Sequence, residues 1–159
     1  THIHAQALPV AAARVTAWAN TLSPTHLAVT FLTPTRLKHR GQWVRTQPPF
    51  HVLVRRLLDR VSSLAYFHGG VRWETDFRGW VTRAEAVALA ADAAAWAPWS
   101  RYSGRQEQWV RMGGLTGTAT YTGALAAYRP LLALGALLHV GKGTLFGNGQ
   151  MALASGEAA

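Results

Sequence analysis

Near its end the chain concentrates four glycines in nine residues, Gly141, Gly143, Gly147 and Gly149, around Lys142 and Phe146. Glycine loses more backbone entropy on folding than any other residue, so this density implies unusual dihedrals or close backbone approach. A lysine among the glycines points to an anionic partner. The flanks constrain the fold further. The apolar run Leu131 to Val140 has helical spacing, and Gly149 to Ala154 reads as a short strand. A helix, a glycine loop and a strand therefore follow in that order. The P-loop needs four residues between its first glycine and a Gly-Lys pair followed by Ser or Thr. Here Gly135 and Gly141 have five residues between them, and Gly143 follows Lys142. The dinucleotide fingerprint follows a strand and opens a helix, the reverse of the order here.

Charge is the compositional outlier. Of the 16 cationic residues 14 are Arg, against 7 acidic residues, for a formal net charge of +9. The planar guanidinium donates two hydrogen bonds to one phosphate, so an Arg-rich basic domain suits nucleic acid, or less often an anionic membrane surface. The competing account is the Arg and Ala bias of a GC-rich genome. With no cysteine, thiol nucleophiles, thiolate metal sites and disulfides are excluded. No cofactor is implied, and the histidine spacing suggests no metal site. No apolar run approaches the roughly 20 residues of a membrane span. The chain opens on Thr1-His2-Ile3-His4 without a secretory signal. These features predict a soluble, cytoplasmic protein with no membrane partner. The missing initiator Met suggests a piece of something longer.

The length fits one domain with a real core. Residues 1–25 read as a linker or the remnant of a preceding domain, with Arg14 to Trp18 extended. Leu27 to Leu32 reads as a strand ended by Pro34, followed by the basic loop Thr35 to Gly41. Pro48-Pro49 opens a helix whose stripe is Phe50, Leu53, Val54, Leu57, Leu58, Val61, Leu64 and Ala65, and Gly69-Gly70 ends it. Arg55, Arg56, Asp59 and Arg60 lie off the stripe and read as a solvated face with Arg55 paired to Asp59. Thr82, with Glu85 in the capping-box position, predicts an Ala-rich helix running to about Trp96. Ser100 to Arg111 and Leu115 to Thr122 read as strands of a hairpin joined by Met112-Gly113-Gly114. Thr116, Thr118, Thr120 and Thr122 share one face of the second strand. Pro130 opens the last helix, and residues 155–159 read as a frayed tail. Leaving the Ala-rich helix as an insertion, residues 26–154 form an α+β domain ordered β-α-β-β-α-β, the ferredoxin-like arrangement.

Three stretches then take on a joint meaning. They are Phe31-Leu32-Thr33-Pro34-Thr35-Arg36-Leu37-Lys38, Arg101-Tyr102-Ser103-Gly104-Arg105-Gln106 leading into Gly113-Gly114-Leu115-Thr116-Gly117, and His139 to Gly149. In this order they resemble the C-terminal domain of the CRISPR repeat-RNA-processing endoribonucleases of the RAMP superfamily. The resemblance implies tandem ferredoxin-like domains, with the glycine-rich loop as the hallmark of the C-terminal one. It implies cleavage of the precursor CRISPR transcript without metal, the 2′-OH attacking the adjacent phosphate to leave a 2′,3′-cyclic phosphate and a 5′-OH. General acid–base groups, typically His, sit in the N-terminal domain of such proteins, which nothing here matches. The implied partners are CRISPR repeat RNA, that N-terminal domain, and subunits of a CRISPR effector complex. A non-catalytic RAMP subunit that scaffolds CRISPR RNA is the alternative.

Candidate residues fall in three groups. Gly141, Gly143, Gly147 and Gly149 give a phosphate access to backbone N–H groups, with Lys142 as a point charge. The loop's other reading is a tight helix-to-strand connection. Phe146 is expected to plug the core rather than stack on a base. Arg101, Arg105, Gln106 and Arg111 are the second group, since the resemblance implies a basic hairpin gripping the repeat stem; exposed strand arginines are the alternative. Lys38, His39 and Arg40 are the third. A histidine between two cations has a lowered pKa suited to a general base, so His39 is the catalytic candidate; a solvated basic turn is the alternative. His139 reads as a cap or core residue. His26, His51 and His68 have no evident partners. Trp43 and Trp109 flank basic segments and are the candidates to stack on bases, with core or domain-interface packing as the alternative.

Overall fold

The computed structural model describes residues 10–46 and 48–156. Thr1 to His4 and the end of the predicted tail lie outside them. In chain order the elements are α1 (Ala12–Thr21), β1 (His26–Thr35), β2 (Lys38–His39), β3 (Gln42–Trp43), α2 (Phe50–Gly69), α3 (Phe77–Ala84), β4 (Ala88–Asp92), β5 (Ala95–Ala97), β6 (Ser100–Ser103), β7 (Gln108–Arg111), β8 (Gly114–Thr122), α4 (Arg129–Leu138) and β9 (Met151–Ser155). The main sheet runs β4-β8-β1-β9, with β5 continuing the β4 edge along β8. Each neighbouring pair is antiparallel. Hence β1 and β4 run parallel with β8 between them, and β8 and β9 run parallel with β1 between them. Two interleaved β-α-β units of this kind make the ferredoxin-like α+β fold.

Alternation fixes which sheet face is covered. Leu27, Val29 and Phe31 on β1, and Leu115, Ala119 and Tyr121 on β8, are buried. The predicted threonine face of β8 is half-buried, with Thr118 hydrogen-bonded to Thr30 of β1 through their hydroxyls at 2.9 Å. The α2 stripe buries Phe50, Leu53, Val54, Leu57 and Leu58 as expected. Gly70, at φ +64°, ends that helix. Its N–H donates to Tyr66 and that of Val71 to Ala65, which satisfies two terminal carbonyls. Pro130 opens α4. Gly135 of α4 lets that helix close onto Leu57 and Met151, whose side chains a Cβ there would strike. Phe50 joins Tyr121 and Tyr128 with ring centroids 5.0 and 5.1 Å away.

Four sequence expectations are corrected. Arg14 to Trp18 is not extended but lies within α1, where Val15 and Ala19 bury against Ala133 of α4. That apolar spacing of four is helical. The extra Ala-rich helix does not form. The helix in this region is α3, capped by the Asp76 carboxylate, which accepts from the Gly79 N–H at 2.8 Å. Thr82 and Glu85 fall at its end. The alanines after it form β4 and β5. Helix propensity is a weak preference per residue, whereas β8 has an edge whose N–H and C=O groups need partners. Val87 with Leu89, and Ala94 with Trp96, face the core two residues apart, which is strand spacing.

The central hairpin is also built differently. Ser100 to Arg111 is not one strand lying on β8; it folds back on itself as β6 and β7, with Tyr102 opposite Trp109. Its turn, Gly104 to Glu107, holds Glu107 at φ +48°. The second strand of the fold is therefore the alanine segment, and the basic hairpin is an insertion between it and β8. Finally, β1 continues through Pro34 to Thr35, with an irregularity after Phe31. Proline is tolerated there because the regular ladder to β9 ends at the Phe31–Met151 pair.

Candidate nucleic-acid interface

The glycine loop is fastened to the end of β1. The Val140 N–H donates to the Gly149 carbonyl at 2.9 Å, the Gly149 N–H to the Pro34 carbonyl at 3.3 Å, and the Lys142 N–H to the Arg36 carbonyl at 3.1 Å. The Thr33 hydroxyl donates to the Gly147 carbonyl at 2.8 Å and accepts from the Gln150 N–H at 2.9 Å. Gly141 at φ +88° and Gly149 at φ +81° occupy the left-handed region. At both, a Cβ would collide with backbone, the Arg36 carbonyl at Gly141 and Val140 at Gly149. Gly147 donates its own N–H to the Thr144 carbonyl at 3.1 Å. Gly147 and Gly149 thus spend their amides on shaping the loop, while Lys142 is held exposed at its rim.

Phe146 is not a core plug. It is 55 % exposed, beside Leu145 at 94 %. Both lie in a single 3-10 turn, Thr144–Phe146, none of whose residues is buried. The Arg101 guanidinium of β6 stands over the Phe146 ring, 4.4 Å from its centroid. This contact joins the glycine loop to the basic hairpin. The hairpin's outer face carries the cross-strand pair of Tyr102 and Trp109, with Trp109 71 % exposed. Arg105 and Gln106 sit exposed in the turn, and Arg111 closes β7.

Between β1 and α2, the predicted basic loop is a miniature hairpin. Lys38 pairs with Trp43 and His39 with Gln42. Arg40 at φ +48° and Gly41 at φ +81° make its two-residue turn. Positive φ at both positions matches the strand twist, and Gly41 supplies one of them at no steric cost. The turn sets His39 against His51 in the first turn of α2, ring centroids 5.4 Å apart. His39 has its pKa lowered below 6.5, first by burial, then by His51, then by Arg40, Arg55 and Arg56. The ring is therefore neutral at pH 7 and able to accept a proton. The sign for stability follows. Between 6.5 and the lower folded value the unfolded chain binds more protons, so stability falls as pH drops through that window. Thermal unfolding measured from pH 7 downwards is expected to show this loss, and His39→Gln to flatten it. An unaltered pH profile in the variant would exclude His39 as its source.

Three clefts run together along this side. The first, about 480 Å³, holds Lys38, His39, Arg40, His51, Arg55 and Arg56. The second, about 330 Å³, lies between α2 and the glycine loop and is lined by Arg36, Lys38, Arg56, Arg60, Gly141 and Lys142. Lys38 and Arg56 line both. The third, about 430 Å³, adds Trp43, Arg45, Trp96, Trp99 and Arg111, and shares Arg36 with the second. The groove carries two carboxylates, Glu85 in the first cleft and Asp59 in the second. Asp59 is held by Arg56 at 3.0 Å, the i,i+3 pair that forms in place of the expected pairing with Arg55. Among the described residues, the buried Nε atoms of Arg36, Arg56 and Arg101 have no hydrogen-bond partner. Such a surface attracts a polyanion and can hold several consecutive phosphates.

Six of the twelve candidate site residues read from sequence border this groove. Lys38, His39, Arg40, Arg111, Gly141 and Lys142 line it directly. Arg101 reaches the neighbouring loop, while Arg105, Gln106, Gly143, Gly147 and Gly149 lie outside the three clefts. Sequence reasoning missed Arg36, Arg45, His51, Arg55, Arg56 and Arg60. The α2 arginines were read as a solvated face because helical spacing shows which residues avoid the core, not which loop packs beside them. Arg60 in fact donates from Nε to the Leu138 carbonyl at 3.2 Å, capping α4.

The comparisons with known proteins bear on this arrangement. A Thermus thermophilus Cas6 superposes with a TM-score of 0.65 at 18 % identity, over 88 % of this chain and 57 % of that one. A Cas6 product complex gives 0.67 at 18 % identity, over 92 % and 56 %. A partial Cas6-RT-Cas1–Cas2 complex gives 0.61 at 16 % identity, over 97 % and 28 %. At such identities the likeness is one of fold. The chain spans little more than half the length of the first two. No curated protein matches it. Residues 29–151, from within β1 to the start of β9, match the family described as CRISPR-associated endoribonuclease Cas6. The match takes in the β1 turn, the basic hairpin and the glycine loop, and the chain belongs to the Cas6 family.

Proposed function

We propose that this chain is the C-terminal, RNA-binding half of an endoribonuclease that matures CRISPR RNA, with residues 26–154 as its ferredoxin-like domain. The observation that carries the proposal is the chain of three cation-lined clefts sharing Lys38, Arg56 and Arg36, beside a hairpin tied to the glycine loop. Lys38, Arg40, Arg111, Gly141 and Lys142 would hold the RNA backbone, with Gly143, Gly147 and Gly149 shaping the loop. Arg101, Arg105 and Gln106 would grip the repeat stem. An N-terminal ferredoxin-like domain is the proposed intramolecular partner.

In the cleavage proposed, the 2′-oxygen bonds to the adjacent phosphorus and the bond to the 5′-oxygen breaks, without metal. A base takes the 2′-OH proton and an acid returns one to the leaving oxygen. Cations along the groove orient the phosphodiester and offset the charge that builds on it. Within this chain the acid–base candidate is His39, neutral at pH 7 beside His51. A second reading, a non-catalytic subunit that scaffolds CRISPR RNA in an effector complex, draws on the makeup of the groove: permanently charged arginines dominate it, and these bind phosphate without transferring protons. One assay separates the two. In EDTA, the full-length gene product is expected to cut repeat RNA at one position, leaving a 2′,3′-cyclic phosphate and a 5′-OH. Tight binding with the RNA left intact assigns the scaffold role instead.

A further inference from the structure

The third cleft differs from the other two. Both of those are dominated by cations, each with one carboxylate, and neither has an aromatic wall of Trp, Tyr or Phe. Here three of the chain's seven tryptophans, Trp43, Trp96 and Trp99, converge on Arg36, Arg45 and Arg111. Two of the indoles already carry a guanidinium: Arg36 lies 4.3 Å from the Trp43 ring centroid and Arg45 lies 5.0 Å from that of Trp96. Trp99, at the mouth, is 37 % exposed. No carboxylate lines the cleft, and its volume of about 430 Å³ falls in the range of small-ligand sites, roughly 300–1,000 Å³. Indoles meet carbohydrates and amines as well, but those ligands call for carboxylates or neutral polar partners. Three arginines and three tryptophans, with Ser100 the one neutral polar side chain beside them, favour a ligand that is both planar and anionic.

We infer that this cleft is a nucleotide site, which takes an unpaired base between Trp99 and the Arg–Trp stacks and its phosphate on Arg45 and Arg111. Guanidinium planes stacked on aromatic rings extend the platform on which a base lies. Arg36 is pinned by donating from Nη1 to the Arg111 carbonyl at 3.2 Å, so the Arg36–Trp43 stack is ordered before any ligand arrives. Gly113 keeps the floor open, since a Cβ there would press on the Ala97 carbonyl at 2.8 Å and the Trp96 Nε1 at 3.0 Å. The site also has a fitting address. It sits at the base of the β6–β7 hairpin, between Ser100 and Arg111, the paired first and last residues of that hairpin. A stem gripped by the hairpin would lay its unpaired flank here. This rests on the RNA-binding reading proposed above.

The test compares two repeat RNAs, the stem alone and the stem with its unpaired flank, against the wild-type protein and the exposed-residue variants Trp99→Ala and Arg45→Gln. The flanked RNA is expected to lose about 5- to 150-fold in affinity for Trp99→Ala, the worth of one stacked base, and for either variant the loss on the stem alone is expected to be at least about fivefold smaller than on the flanked RNA. Ultraviolet crosslinking of the flanked RNA is expected to label Trp43, Trp96 or Trp99. Competition by AMP or UMP at micromolar concentration would assign the site to a free nucleotide, and no competition would assign it to the RNA flank. Unchanged affinity for the flanked RNA in both variants, or equal losses on the two RNAs, overturns the inference and leaves the RNA-binding reading intact. If the wild-type protein binds neither RNA, both fall together.

Discussion

Gly149→Val is expected to destabilise the protein by about 3 kcal/mol or more and to abolish RNA binding with it. Gly149 sits at φ +81°, where a residue with a Cβ pays about 1–2 kcal/mol. The new side chain would also meet the backbone of Val140. That backbone cannot move freely, because the Val140 N–H donates to Gly149 itself and the Gly149 N–H to Pro34. Relief requires breaking both bonds, each worth about 0.5–1.5 kcal/mol. For a chain of 159 residues the sum corresponds to a fall in Tm of roughly 6–12 °C. Gly147→Ala is the control. Gly147 has a similar φ of +79° but open space around its Cβ position, so only the dihedral cost applies. A Gly149→Val protein that melts with wild type would mean that the loop is not anchored to β1 as described.

The unequal fate of these two glycines shows what was legible in the sequence. The glycine density, the helix before it and the strand after it could all be read from residue order, and the loop stands in that place. Which glycine is structurally irreplaceable could not be read, because it depends on the Val140 backbone folding over Gly149 and on the bond that fastens Gly149 to Pro34, distant in sequence. The same holds elsewhere. The α2 stripe and the alternation on β8 are local periodicities, and both folded as their spacing predicts. The alanines from Ala88 to Ala97 have no local reason to be extended; they became strands because β8 offered an edge. The Ser100–Arg111 segment lost β8 as a partner for the same reason and closed on itself. His39 was visible between two cations, but His51 came to its side only when the Arg40–Gly41 turn reversed the chain. The Arg101–Phe146 contact spans two segments that sequence reasoning had weighed separately.

The second large effect is expected for the double substitution of Arg101→Ala and Arg105→Ala. Each side chain in contact with RNA should contribute about 1–3 kcal/mol, so together they should lower affinity for repeat RNA by roughly two to four powers of ten. The two are not equivalent. Arg105 is an exposed turn residue, and its loss should act on RNA alone. Arg101 stacks on Phe146 and therefore also positions the glycine loop against the hairpin. Arg101→Lys, which keeps the charge but not the planar stack, should accordingly bind less tightly than wild type. The two single losses are expected to sum to more than the double loss if the hairpin and loop grip the RNA as one unit, a coupling that a double-mutant cycle reads directly. Wild-type affinity in the double variant would remove the hairpin from the interface.

The central claim is that this basic side is built for CRISPR repeat RNA and not for polyanions at large. Its most direct test is the equilibrium affinity of the protein for repeat RNA and for a scrambled RNA of the same length, measured across a range of salt. Both affinities should fall with salt, by about 0.7 in log K per phosphate contacted for each tenfold rise. The account predicts that repeat RNA binds at least tenfold more tightly at physiological salt. Equal affinity for the two RNAs, with superimposable salt slopes, would contradict it.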